Sequence, residues 1–180
     1  QSTLSETAFL MACGKAQDPG LSLDPYASLW LTPEGINYAE DFAQNVIPLA
    51  AHLFCLRGRY IAEQLLAFEK KHPHFTLINV GSGLTSYQFI LSHGTTTHEL
   101  DQTHVLDFRS QRIKENTDKG LLPKRNIHFH PVNLNSASGL DQFREILNQI
   151  TNPCFVLFEG IVTYLEKPLA RISHRSDFLT

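Results

Sequence analysis

Gly81 and Gly83 stand one residue apart at the end of the apolar run Thr76-Leu-Ile-Asn-Val80, and Thr85-Ser86 lead from them into the segment Tyr87–Leu91. An apolar run, two close glycines and an amphipathic segment are the sequence form of a strand, a tight turn and a helix start. Glycine lacks a Cβ and tolerates positive φ, so such a turn either packs tightly or lets backbone approach a ligand. Ser86 stands where the third glycine of G-x-G-x-x-G would be, so the turn points to a nucleotide-like cofactor without choosing one. Glu99 and Asp101 follow 18 and 20 residues after Gly81. A carboxylate there can accept both hydroxyls of a ribose in any adenosine-containing cofactor, or simply be solvated at a strand end. Asn133 follows the alternating segment Ile127–Val132, and Glu159 follows the apolar run Cys154–Phe158. With Asn79 and Asp101 they place polar residues at four successive strand ends, where open α/β sheets bind ligands.

The elements that must position these residues follow from periodicity. Residues 5–16 read as a helix with Ala8, Phe9, Ala12 and Cys13 on one face, and Asp18-Pro-Gly20 breaks it. Asp24-Pro-Tyr26 starts a short segment, and Pro33-Glu-Gly35 is expected to interrupt the chain again. Residues 37–47 and 52–70 read as helices, with Tyr60, Ile61, Leu65 and Phe68 at helical spacing in the second and Arg57 and Arg59 near its start. Strands are expected at 75–80, 98–101, 127–132 and 154–158, alternating with helices that begin at 86–91 and cover 105–114 and 140–150. That alternation predicts an α/β fold with a Rossmann-like, doubly wound, mostly parallel sheet. We expect residues 1–56 to form an N-terminal helical cap and 57–180 the core, as one structural unit. A helix could open at Pro168, and the chain reads as ending before its sheet is complete.

The totals bound the function. With 180 residues, 42% of them hydrophobic and 18% charged, the chain suits one ordinary globular domain. A formal charge of −3 gives no electrostatic case for nucleic acid. No apolar run approaches the roughly 18 residues that span a bilayer. Cys13, Cys55 and Cys154 have no metal or redox spacing and read as reduced core thiols of a cytoplasmic protein. Two His-X-His pairs occur, His72 with His74 and His128 with His130. The second pair would share one face of a strand, but no cysteine or carboxylate accompanies it at ligand spacing, and no metal is expected. Arg109, Arg112 and Lys114 read as a solvated helix face. Neither a Gly-x-Ser-x-Gly elbow nor a Walker-type Gly-Lys-Ser/Thr turn is present.

From Thr7-Ala8 to about Pro168 the chain resembles the leucine carboxyl methyltransferases, which include the carboxyl methyltransferases of polyketide pathways. The resemblance rests on Asp24-Pro-Tyr-Ala27, Arg57-Gly-Arg59, Ile78-Asn-Val-Gly-Ser-Gly-Leu84, His98-Glu-Leu-Asp101, Pro131-Val-Asn-Leu134 and Phe158-Glu-Gly-Ile-Val-Thr-Tyr-Leu165. It implies S-adenosyl-L-methionine as cofactor and O-methylation of a carboxylate, on a small molecule or a protein C-terminus. It implies that Arg57 pairs with the cofactor carboxylate, a task that suits a bidentate guanidinium. Gly81 and Gly83 would lie against the methionine moiety, Asp101 would hold the ribose, and Asn133 and Leu134 would meet the adenine. Glu159 would line the pocket, and Lys15 matches, on a looser alignment, a basic residue near the methionine end. The Tyr164 region and the N-terminal helices are candidates for the acceptor side. Two residues depart from the family pattern, which has Asp where Thr85 and Asn133 stand. The family's sheet also continues past the Glu-Gly…Tyr-Leu segment. Two other readings stay open from the sequence: an NAD-dependent oxidoreductase using the same turn, and a methyltransferase-like binding module without catalysis. The methyl acceptor and the oligomeric state are not legible.

Overall fold

The computed structural model describes residues 6–45 and 49–161. The chain opens with helix α1 (Glu6–Gln17), the single turn α2 (Pro19–Ser22), a 3-10 turn at Ala27–Trp30, and helices α3 (Pro33–Asn45) and α4 (Ala50–Lys71). Then follow β1 (Thr76–Val80), the short α5 (Tyr87–Ile90), β2 (Thr96–Asp101), α6 (Thr103–Asp118), β3 (Asn126–Pro131), α7 (Ala137–Asn148) and β4 (Cys154–Phe158). The four strands make one parallel sheet in the order β3-β2-β1-β4. The fold is therefore the Rossmann-like α/β arrangement expected, and helix α4 runs unbroken through residue 57.

Burial explains the sheet. Every residue of β1 is buried, as a central strand covered on both faces requires. On one face Ile78, Val80 and Leu100 pack with Val132, Leu134 and the α7 residues Phe143 and Ile146. On the other, Leu77 and Leu157 pack with Phe75, Tyr87, Leu91 and the α4 residues Ala62 and Leu65. A third cluster of Ala12, Trp30, Leu84, Phe89 and Leu122 ties the N-terminal helices to the sheet. Strand β3 lies at one edge, is less buried, and ends in Pro131, whose missing N–H is tolerated there.

Two helix expectations need correction. Pro33-Glu-Gly35 opens α3 rather than interrupting the chain. Proline suits the first helical turn, where its missing N–H would be an orphan anyway. The Thr32 hydroxyl accepts from Gly35 N at 3.1 Å. Gly35 is needed there because a Cβ would lie 2.4 Å from Phe9 Cδ1 of α1. The helix expected from Ser86 to Leu91 is one turn only. Tyr87, Gln88, Phe89 and Leu91 are all buried, and Leu91 is already extended at φ −81, ψ 166. The expected helix residues 46–47 and the Pro168 helix lie outside the described residues.

Candidate functional site

The strand order reverses beside β1, which lies between β2 and β4. In a doubly wound sheet the crevice forms beyond the carboxyl ends at such a point. The chain leaves β1 through Gly81 at φ 68 and Gly83 at φ 46, conformations that favour glycine. The turn is tied to the end of β2. Gly81 N donates to Leu100 O at 2.7 Å, and Gly83 N donates to Asp101 Oδ2 at 2.8 Å. Asp101 Oδ1 accepts from Gln102 N at 2.7 Å. An ionised carboxylate has about four acceptor positions, so Asp101 keeps capacity for a ligand donor.

The turn is braced from behind by Arg109, which is fully buried, so its reading as part of a solvated face is overturned. Its Nη1 donates to the carbonyls of Gly83 at 2.8 Å and Thr85 at 3.1 Å. Its Nε donates to Glu99 Oε2 at 2.6 Å, Nη2 bonds Glu99 Oε1, and the guanidinium lies 4.8 Å from the Trp30 ring centre. Glu99 also accepts from Gln88 Nε2 at 2.6 Å. The Glu99 side chain is thus an internal counter-ion and is not available to a ribose, whereas Asp101 is. Sequence reading missed Arg109 because three basic residues on one helix resemble a wet face. The usable signal was its spacing from Val105 and Leu106, which puts it on the buried side of α6.

Beneath the turn, Asn79 Nδ2 donates to Thr85 Oγ1 at 2.9 Å, and Thr85 Oγ1 donates to Ser82 O at 2.9 Å. Thr85 therefore closes the turn internally as a neutral residue. Asn133 Oδ1 accepts from Asn135 N at 3.1 Å. The Asn133 carbonyl lies so near α7 that a Cβ at Gly139 would be 1.9 Å from it. This holds Asn133 exposed and Leu134 buried, side by side.

The fourth strand end carries a charged cluster. The Glu159 side chain is 1% exposed and accepts from Lys15 Nζ at 3.3 Å, Tyr87 Oη at 2.7 Å and Arg57 Nε at 3.1 Å. Lys15 reaches it from α1 past Gly58, where a Cβ would be 2.8 Å from Lys15 Cε. The glycine of Arg57-Gly-Arg59 is room for a lysine stem. Burial, then the Glu159 charge, holds the Tyr87 phenol well above its ordinary pKa, so it serves as a donor. Asp24 is buried nearby and accepts from Tyr26 N at 3.1 Å. Its pKa is raised, chiefly by burial, against the opposing pull of Ser86 and Lys15.

These pieces enclose a cavity of about 550 Å³. Gly81, Gly83, Asp101, Asn133, Leu134 and Glu159 all line it, and α1 roofs it with Ala8, Met11 and Lys15. Arg57 stands just behind the wall. Its Nη2 is 3.0 Å from Met11 Sδ and would be 3.8 Å from a Cβ at Gly160. Two observations fit the cavity to a polar cofactor. Ser82 Oγ, in the lining, is buried without a partner among the described residues. Gly83 has no side chain to fill the space before Ala8. Tyr164 lies outside the described residues.

The histidines gather elsewhere. His98, His128 and His130 lie on one face of β2 and β3, with His98 Nδ1 2.9 Å from His130 Nε2 and all the rings stacked about His98. Stacked rings do not converge their lone pairs. Among the described residues, no group of three His, Cys, Asp or Glu side chains is placed to hold a metal ion. His74 adopts φ 64 in the turn before β1. The three thiols are free, and burial raises the pKa of each. Among the described residues, no helix is long and apolar enough to cross a membrane.

In a comparison with protein families, the model described as leucine carboxyl methyltransferase matches residues 5–171.

Proposed function

This chain belongs to the leucine carboxyl methyltransferase family, and from that premise we propose that it binds S-adenosyl-L-methionine in the cavity beyond β1 and O-methylates a carboxylate. The observation that supports this most directly is convergence. Residues from all four strand ends and from α1, as far apart as Lys15 and Glu159, border one volume of about 550 Å³. Ligand sites for small molecules are commonly of this size.

Each residue has work that its geometry permits. Gly81 and Gly83 leave backbone open to the methionine end. Asp101 offers its remaining lone pairs to ribose hydroxyls. Leu134 packs on the adenine face and Asn133 meets the ring edge. Arg57 is 40% exposed and tethered by one carboxylate bond and one weak sulfur acceptor. Its fork can therefore turn toward a ligand carboxylate, while Lys15 and Tyr87 keep Glu159 satisfied. S-adenosylmethionine, when bound, supplies an electrophilic methyl group on sulfur. The acceptor is a carboxylate of a small molecule or a protein C-terminus, already ionised near pH 7, since reference values lie near 4. No general base is then required, and the chain's contribution is alignment and exclusion of water. The three free thiols suit a cytoplasmic setting.

Calorimetry with S-adenosylhomocysteine and NADH, followed by transfer of a labelled methyl group to a panel of carboxylates, tests the proposal. Tight S-adenosylhomocysteine binding and a base-labile methyl ester are expected. Preference for NADH sinks the cofactor assignment. Binding without transfer to any carboxylate sinks the catalytic half and leaves a binding module.

A further inference from the structure

Tyr87 opens α5 and is buried, with its ring among Phe75, Leu77, Leu91 and Leu157. Its hydroxyl oxygen lies 2.7 Å from Glu159 Oε2 and 3.1 Å from Lys15 Nζ. An ammonium only donates, so Tyr87 Oη accepts from Lys15 and gives its one proton to Glu159. Lys15 directs its other donors to the same carboxylate, 3.3 Å from Oε1 and 3.4 Å from Oε2. Arg57 is the looser member of the cluster. Its Nε meets Glu159 Oε1 at 3.1 Å, and its Nη2 rests on the Met11 thioether, a weak acceptor.

Building on the cavity's reading as an S-adenosylmethionine site, we propose that Tyr87 is a positioning residue for the cofactor carboxylate: its hydroxyl satisfies Glu159, so that Arg57 can turn away. A ligand carboxylate that takes the Arg57 fork must draw it off Glu159. The Glu159 side chain is 1% exposed, so water does not replace the lost bond. A buried carboxylate left short of donors is costly. With Tyr87 present, Glu159 keeps its shortest bond at Oε2 and the Lys15 charge beside both oxygens. Without the hydroxyl, Oε2 keeps only the 3.4 Å contact with Lys15, and Arg57 becomes the nearest remaining donor. Glu159 then competes with the ligand for the guanidinium. Tyr87 itself does not line the cavity, so its effect on a ligand must pass through Glu159 and Arg57.

Calorimetry on the full 180-residue chain, parent and Tyr87→Phe, separates this role from a structural one when two ligands are compared. S-adenosylhomocysteine carries the carboxylate, whereas 5′-methylthioadenosine keeps the adenosine and a thioether but has none. Phenylalanine retains the buried ring, including the face 4.8 Å from Lys15 Nζ. Affinity for S-adenosylhomocysteine should fall about tenfold in Tyr87→Phe, the worth of one hydrogen bond to a charged group. Affinity for 5′-methylthioadenosine should stay within about twofold of the parent's. In an Arg57→Ala background the Tyr87→Phe substitution should no longer separate the two ligands. At position 87, 3-fluorotyrosine, a stronger donor of nearly the same shape, should tighten S-adenosylhomocysteine alone, and it decides the matter if Tyr87→Phe does not fold. Equal losses for both ligands overturn the proposal, since Tyr87 would then only shape the turn. Unchanged affinities overturn it as well, and so does a carboxylate-selective loss that persists in Arg57→Ala. A parent that binds neither ligand overturns the cofactor reading and the Tyr87 role together, whereas a parent that binds S-adenosylhomocysteine keeps that reading whatever the variants do.

Discussion

Asp101 does two jobs with one carboxylate, holding the Gly83 and Gln102 amides while facing the cavity. Replacement by Ala removes both the brace and the ribose acceptors. Charge-assisted hydrogen bonds contribute about 1.5–3 kcal/mol each, so S-adenosylhomocysteine affinity should fall at least about tenfold. Calorimetry on Asp101→Ala, with circular dichroism to confirm folding, measures this, and unchanged affinity would disprove the ribose role. Arg109 works behind the same turn. Arg109→Met strands the Glu99 carboxylate in the core and should cost about 3–5 kcal/mol in urea unfolding. Arg109→Lys keeps the charge but not the planar fork that spans Glu99, Gly83 and Thr85. It should fold with lower stability and bind cofactor more weakly. If Arg109→Lys binds as tightly as the parent, the fork does not set the turn. Asp101 was legible because its distance from the glycines and its strand-end place both point to a ligand. Arg109 was not, since its partners Glu99 and Trp30 come from remote segments and a basic residue on a helix is ordinarily solvated.

Elements were legible where one pattern dominated. Strand β4 agreed with its predicted bounds because five apolar residues lie between Pro153 and Glu159. Helix α5 was shorter than expected because burial on every side, rather than one apolar stripe, decides its length. The β2–β3 pair shows what alternation alone cannot reveal. Parallel pairing in register sets His98 opposite His128, with His130 next on the same face. Burial first, and then the neighbouring imidazoles, lower the pKa of His98 to about 4, and the pKa of His130 is lowered as well. The unfolded chain, near the ordinary 6.5, binds protons in this window more readily than the folded one. Stability is therefore fully present above pH 6.5 and is lost as pH falls toward 4. Allowing for partial solvent screening, the loss should be about 1–3 kcal/mol. Urea melts at pH 7.5 and pH 5 would show it, and His98→Asn should flatten the difference. An unchanged slope in that variant would place the pH dependence elsewhere.

At the scale of the molecule, the polar strand ends were legible because a parallel sheet delivers every carboxyl end to the same edge, whatever the strand order. The roof was legible only in part: the resemblance pointed to an N-terminal cap and to Lys15, but Met11 and Ala8 were not foreseen, because α1 reaches the cavity by folding back across the glycine turn, a contact between segments about seventy residues apart that no local period encodes. The cavity therefore has a floor made by the sheet and a lid made by the first helix, and a ligand bound inside must couple the two. A ligand at 100 times its dissociation constant stabilises the folded state by about 2.7 kcal/mol, which for a chain of this size raises the melting temperature by about 5–10 °C. S-adenosylhomocysteine should produce that rise. It should also slow amide hydrogen exchange in α1 and in residues 81–85 together, because opening of the roof then requires release of the ligand. Exchange that slows in the turn while α1 exchanges as before would mean that the ligand sits on the sheet edge outside the roof. The Lys15–Glu159 bridge would then be a fastening of the fold alone, and Lys15→Met would lower stability without changing cofactor affinity.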